Sequence, residues 1–504
     1  MANPRTAFWL SIALLTGVQP LTPQQDPVAL RVPGHGGIFA PVALSRVSPP
    51  SPWPATCNGT QSGTNYRNGV VEPFVAADPR NPNHLIGVWQ QDRWTNGGSS
   101  GLMTGVTLDQ GRTWTTTYAR FSACTGGIYT RASDPWVAIA PDGTAHQIAL
   151  GLKDNNATVA VLVSRSSDGG FTWSDPGTLV LDPSTSSAGS DKESITADPT
   201  DSHYVYAIWD KISNNSATLW FTRTTDGGGS WESSHSIYDP GVNGYATAPQ
   251  IAVLPDGTLL AMIVLSHGNS TQVAVLRSAD HGLSWSAPAA VAADDTVGTV
   301  DARTQKGLRT GAGIPSIAVD RASGAVYIVW SDSRFSSFQR DGIALSRSTD
   351  GGVTWSAPVQ VNRAPNVQAF TPAVAVGNDG TVAVTYFDFR KSVSTPGPLW
   401  TNYWRVTSTD GARTWREASL AGPFDMLSAP QAQAPFLGDY QGLTAAGGIF
   451  VAFFAAANSG NALNPSDIFA TSADRRIDMT SNLRTEINLR PHGVEIERRP
   501  IQKR

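Results

Sequence analysis

The sequence predicts an all-β chain built from repeated four-stranded antiparallel units, and three observations predict it. One phrase, Ser/Thr-x-Asp-x-Gly-x-Thr/Ser-Trp, occurs six times: Thr107 to Trp114, Ser166 to Trp173, Thr224 to Trp231, Ser278 to Trp285, Ser348 to Trp355 and Ser408 to Trp415. Its aspartates (Asp109, Asp168, Asp226, Asp280, Asp350 and Asp410) lie 54 to 70 residues apart, the period of one four-stranded unit. Only 15% of residues are charged, whereas Gly (48), Pro (34) and Trp (16) abound, which suits a turn-rich β chain. No long window carries apolar residues at helical spacing, so almost no helix is expected. Together these point to a single β-propeller.

Each part of the phrase has a reason. The aspartate carboxylate accepts backbone N–H groups a few residues on and holds a tight loop. The glycine takes the positive φ that the loop demands. The Thr or Ser starts a new strand, and the tryptophan buries its ring between neighbouring sheets. The sixth copy has Ala412 in the glycine position, with Gly411 just before it. The phrase resembles the Asp-box, or BNR, repeat of sialidase-like β-propellers, and the resemblance covers roughly residues 66 to 476. It implies that the boxes build the fold and face away from the substrate.

Upstream of each box comes a pair of strands. The first of each pair begins at Glu72, Asp134, Glu193, Pro249, Pro315, Pro372 and Tyr440; Asp-Gly turns such as Asp142-Gly143, Asp256-Gly257 and Asp379-Gly380 lead to the second. Seven first strands against six good boxes favour seven blades, with six as the alternative. Ser472-Ala473-Asp474 holds the register of a seventh box without its glycine and tryptophan. The seventh blade therefore needs an outer strand from elsewhere, and Gly37 to Val47 is expected to supply it, closing the ring and removing exposed edges.

The predicted organisation is a signal peptide at 1–20, an N-terminal segment with the closing strand at 21–65, the propeller at 66–476 and a polar extension at 477–504. Arg5 followed by the apolar run Ala7 to Val18 reads as an export signal, too short for a stable bilayer span; no other segment suits one. Cys57 and Cys124 fit an exported chain with one disulfide, two free buried thiols being the alternative. Asn58, Asn156, Asn214 and Asn269 head Asn-x-Ser/Thr sites that matter only in a host that glycosylates secreted proteins. The net charge of −4, with no basic stripe, excludes a nucleic-acid partner. The eight histidines show no metal-ligand spacing, and no Gly-x-Ser-x-Gly elbow or phosphate loop occurs, so neither metal nor cofactor is expected. The expected partner is a glycan, met by a monomer.

A ligand site is expected where the starts of first strands and the ends of second strands ring the central channel. The former offer Glu72, Asp134, Glu193, Asp439 and Tyr440. The latter offer Asp92-Arg93, Asp210-Lys211, Asp332-Ser333-Arg334 and Asp388-Phe389-Arg390. Arginine grips a carboxylate through paired hydrogen bonds, so Arg93, Arg334 and Arg390 are candidates to converge; the alternative is that each pairs with its own aspartate. The sialidase resemblance implies a retaining mechanism on a terminal sialic acid or related acidic sugar. In it Tyr440 is the nucleophile, Glu193 (or Glu72) its base, Asp134 (or Asp92) the acid/base, and the three arginines the carboxylate clamp. The family's Phe/Tyr-Arg-Ile-Pro signature is absent; the nearest string is Tyr66-Arg67-Asn68-Gly69. Two other readings stand beside this one: an endo-acting hydrolase or lyase on an acidic or plant polysaccharide, and a non-catalytic glycan- or protein-binding propeller. Trp94, Trp136 and Trp209 are candidates to stack on sugar rings. An enzyme predicts Tyr440, Glu193 and at least two of the arginines in one pocket; a binding module predicts self-paired Asp–Arg groups.

Overall fold

The computed structural model describes residues 43–153, 157–183, 189–392 and 397–472. Everything before residue 43, including the expected signal peptide, and Asn156, Asp474 and the polar extension lie outside these residues. The described chain is all-β: apart from three short 3-10 turns, at Ala123–Thr125, Arg334–Ser336 and Met426–Ser428, its regular elements are strands. No helix among the described residues is long and apolar enough to cross a membrane.

The strands fall into antiparallel units of four. In the first, Asn65–Ala77 pairs with Leu85–Trp94, which pairs with Ser99–Thr107, which pairs with Thr115–Thr117. The pattern recurs along the chain, and some consecutive units are joined by a single bridge, as at Ser99 with Ala132 and Ala217 with Tyr245. The last unit comprises Gly442–Ala446, Ile449–Ala457 and Ser466–Ser472, and its fourth strand is Ala43–Arg46 from the other end of the chain. That strand falls inside the expected 37–47 segment, of which residues 37–42 lie outside the described residues.

Apolar side chains fill the spaces between successive units. Ile148, Val161, Ala207 and Trp209 form one such cluster, and Tyr206, Phe221, Ile263 and Leu276 the next. The first unit packs on the last through Trp89 and Trp114, whose rings lie 6.2 and 5.3 Å from that of Phe453. Burying each such side chain contributes about 1.5–3 kcal/mol. Cys57 and Cys124 form a disulfide that ties the segment before the first unit to the turn after it. Asn58 is buried and donates to the Thr130 carbonyl, which removes it as a glycan acceptor.

The aspartate hairpins are nearly superimposable in their bonding. Asp109 Oδ1 accepts from Thr113 N at 2.8 Å and from Thr107 Oγ1 at 2.8 Å, and its Oδ2 accepts from Thr113 Oγ1 at 2.7 Å. Asp226, Asp280 and Asp410 repeat this set. The glycine position has φ near +85°, and Ala412 in the sixth copy is forced to +70°. These hairpins connect the third strand of a unit to its fourth, at the opposite end from the starts of the first strands.

Candidate functional site

The site is made by a repeated backbone irregularity. In five first strands the pairing register slips near the start, between Val71 and Phe74, Ser133 and Trp136, Asp191 and Ser194, Thr247 and Gln250, and Phe370 and Ala373. Within each slip one residue takes a left-handed conformation: Glu72 (φ 53°), Asp134 (50°), Lys192 (54°), Ala248 (53°) and Thr371 (50°). A bulge re-aims the side chain it carries. Left-handed backbone at residues other than glycine, at Thr371 most of all, is strain of the kind that collects at functional sites.

The re-aimed side chains of Glu72, Asp134 and Lys192 meet. Lys192 Nζ lies 3.1 Å from Asp134 Oδ2 and 3.3 Å from Asp439 Oδ2. Arg309 grips the same Asp439 with two hydrogen bonds, Nη2 to Oδ2 at 2.7 Å and Nε to Oδ1 at 3.2 Å. Gln90 donates to Glu72 and to Ser133 Oγ, and accepts from Arg93 Nη1 at 2.7 Å. The Phe436 ring lies between two guanidinium groups, Arg309 at 4.4 Å and Arg93 at 5.2 Å, and is fully buried. Lys192 and Arg309 keep 20% and 30% of their side chains exposed, so they form the solvent side of the cluster.

Burial and charge divide these acids into two classes. Burial would raise Asp439 and Asp134, but Arg309 and Lys192 hold Asp439 below the usual carboxylate range, and Lys192 with Ser133 does the same for Asp134. Burial, then the nearby charges of Asp134 and Asp439, raises Glu72 to about 8. Burial followed by Asp134 pushes Glu193 well above its ordinary value, and burial followed by Asp191 does so for Asp210. Neither oxygen of Glu193 has a hydrogen-bond partner, nor does Asp210 Oδ1. Burial opposes the charge of Lys192, yet Asp134, Asp191 and Asp439 keep its proton bound.

Asp134, Glu193 and Tyr440 border one void of about 10 Å³, together with Trp136 and Lys192. Such a void has the capacity of one water molecule. Tyr440 is buried against Trp136, and its hydroxyl donates to the Pro135 carbonyl at 3.3 Å rather than to a carboxylate. Burial, then Glu72, raises its pKa well above the ordinary tyrosine value.

The other sequence candidates separate. Asp92 faces the segment before the first unit, accepting from Asn68 N and Ser51 Oγ, and takes no part in the cluster. Arg334 pairs with Asp332 and Asp295, and Arg390 with Asp388 and Glu417 while covering the Trp404 ring at 3.7 Å. The physical reason is the turn after each strand: Asp332 and Asp388 end their strands, and each accepts from both the backbone N and the Nε of the arginine two residues on, folding it back locally. Asp92 and Arg93 are adjacent, face opposite ways, and only Arg93 reaches the cluster. Trp209 is fully buried, and the Arg131 guanidinium covers Trp94 at 4.2 Å, so neither presents a free face; Trp136 borders the void.

Two members were missed. Lys192, not Glu193, occupies the position of Glu72 and Asp134, and Glu193 that of Pro73. The matching strings Ala77-Asp78-Pro79 and Ala197-Asp198-Pro199 carry that register. A one-residue slip sends a side chain to the other face. Arg309 sits in a long connection with no repeat to mark it, and arrives through a bridge between Arg309 and Phe436.

No family model and no curated protein matches the chain. Among solved structures it is similar to a protein of unknown function from Dyadobacter fermentans, with 13% identity over 86% of this chain and 98% of that one, and a TM-score of 0.44. It is similar to an α-L-arabinanase of Penicillium chrysogenum, with 11% identity over 86% and 99% and a TM-score of 0.46. It is also similar to the NanB sialidase of Streptococcus pneumoniae, with 13% identity over 84% and 70% and a TM-score of 0.42. No residue role is carried over from them.

Proposed function

We propose that this chain is an exported glycoside hydrolase on a closed seven-bladed propeller spanning residues 66–476, with its outer closing strand drawn from the N-terminal segment. A cavity of about 290 Å³ supports the ring: residues of seven first strands line it, among them Val75, Val137, Ile195, Ile251, Ile317 and Val374 together with Leu443. The pairing of Ala43–Arg46 with Ser466–Ser472 supports its closure. The disulfide supports an oxidising destination.

One observation carries the activity: two carboxyl groups border the same water-sized void with their proton affinities driven apart. Burial, Lys192 and Ser133 together leave Asp134 below the usual carboxylate range, whereas burial and Asp134 push Glu193 well above it, towards its protonated form. Environments that push paired acids apart assign an acid and a base. In this reading Asp134 takes a proton from a water held in the void as that water's oxygen bonds to the anomeric carbon; the glycosidic C–O bond breaks and Glu193 gives its proton to the departing oxygen. Lys192 and Arg309 meet the sugar at the solvent side, where cations suit an acidic sugar or its hydroxyls. Glu72 and Gln90 are positioning residues. The sialidase-type version, retaining and specific for sialic acid, uses Tyr440 as nucleophile and Glu193 as its base. It requires the Tyr440 hydroxyl to leave Pro135 and Glu193 to ionise, and it has one of its three expected arginines, Arg93, in the cluster.

The test is sugar release from a fluorogenic sialoside and from acidic and plant polysaccharides, for wild type, Asp134→Asn, Glu193→Gln and Tyr440→Phe. Release from at least one substrate is expected, cut about 10²- to 10⁴-fold in the two carboxyl variants. Near-normal activity in Tyr440→Phe supports the carboxyl pair, and an equal loss supports the tyrosine nucleophile. The self-pairing of Arg334 and Arg390 favours a second reading, a non-catalytic glycan-binding propeller; absence of release from every substrate would leave that reading standing and overturn the first.

A further inference from the structure

The third aspartate hairpin differs from the other five in a way the fold does not require. After the box glycine the others carry Arg112, Phe171, Leu283, Val353 or Arg413; this one carries Gly229, directly after Gly227 and Gly228. Gly229 is not in the left-handed region, so the backbone does not call for a glycine there. Gly228 and Gly229 line a groove of about 340 Å³ between this hairpin and the preceding sheet, bordered also by His146, Arg165, Asp175 and Trp231.

Several polar groups of the groove are unspent. The indole N–H groups of Trp114, Trp173 and Trp355 donate to the carbonyl of their own hairpin glycine. That of Trp231, like that of Trp285, has no partner among the described residues, and neither has the Arg165 guanidinium. Two equivalent arginines in later units are engaged: Arg223 Nη1 donates to the His281 carbonyl at 2.7 Å, and Arg347 Nη1 to that of Gly411 at 3.4 Å. His146 is 2% exposed with Nε2 unpartnered, and burial, then the charge of Arg165, lowers its pKa to about 4, so the imidazole is neutral. Asp175 is exposed and held by Arg120 at 3.0 Å.

We propose that this groove is a saccharide-binding site, separate from the carboxyl cluster, in which a sugar ring lies on Trp231. Its hydroxyls take hydrogen bonds from Trp231 Nε1 and Arg165 and give one to Asp175. The chemistry selects a sugar: a partly exposed indole flanked by free donors and by one acceptor shared with Arg120, in a space of small-ligand size. A peptide would instead need an open strand edge or an apolar trough. The site does not depend on the hydrolase reading.

The test is binding of the intact chain to an array of immobilised acidic and neutral saccharides, with Gly229→Leu as the blocking variant. Leu283 holds that position in the fourth hairpin, so the variant is expected to fold, and an unchanged Tm checks this. Wild type is expected to retain at least one class of saccharide, with affinity reduced about tenfold or more in Gly229→Leu and in Trp231→Phe. Retention of no saccharide by wild type would overturn the proposal. So would equal binding by Gly229→Leu, or binding that vanishes in Asp134→Asn while surviving in Gly229→Leu, since that places the ligand at the carboxyl cluster.

Discussion

At the hairpin end of the sheets, six aspartates sit at the surface with both oxygens filled by hydroxyls and backbone N–H groups, and those bonds hold Asp109 and Asp168 below the ordinary carboxylate range. At the opposite end, Glu72, Glu193 and Asp210 are buried, oxygens of the last two lack partners, and all three are pushed above it. The same residue type thus serves two purposes in one sheet. An acid whose lone pairs are saturated by its own loop fixes a turn and has nothing left to offer. An acid that is buried, crowded by like charge and unsatisfied is costly to keep, and its presence calls for a function.

The contrast can be broken most severely at Lys192. Lys192→Met leaves Asp134 and Asp439 without one of their cations, and a loss of about 3–5 kcal/mol is expected in urea unfolding. A loss below about 1 kcal/mol would mean that Arg309 alone suffices. Next, the two ends should answer pH with opposite signs. Folding raises the Glu72 pKa, so its contribution is fully present below its ordinary value of 4.5 and drains away as pH rises through about 8. Folding lowers that of Asp109, so its contribution is present above 3.8 and is lost as pH falls further. Unfolding midpoints across that range should decline on the alkaline side in wild type and flatten in Glu72→Gln; an identical decline in the variant would assign the effect elsewhere.

Smaller effects sharpen the hairpin side. Asp109→Ala removes three hydrogen bonds of one loop, and about 1–2 kcal/mol is expected, the scale of a lost helix cap, with the carboxyl cluster at the other end undisturbed. Ala412→Gly relieves the one left-handed alanine among the boxes and should stabilise by about 1 kcal/mol, read as a rise in Tm.

The hairpins and the strand pairs were legible because they repeat: each copy corrects the reading of the others, and the unit that lacked a good box pointed to Ala43–Arg46 as its fourth strand. The site was legible only in outline. Glu72, Asp134, Glu193, Arg93 and Tyr440 do gather, since first-strand starts converge by geometry. Which of two adjacent residues faces inward depends on a bulge, and the sequence around Lys192 marks it faintly. Arg334 and Arg390 look equivalent to Arg93 until the spacing to their aspartates is weighed; two residues apart chelates, one residue apart does not. Arg309 and Phe436 come from long connections outside the repeat, where no periodicity constrains position.

Difference infrared spectroscopy of the carboxyl groups at neutral pH tests the contrast most directly. The account predicts a protonated-carboxyl carbonyl band in the wild-type protein that weakens in Glu72→Gln and again in Glu193→Gln, and is untouched in Asp109→Asn. A spectrum with every carboxyl ionised at neutral pH, or a band that survives both glutamine substitutions, would contradict it.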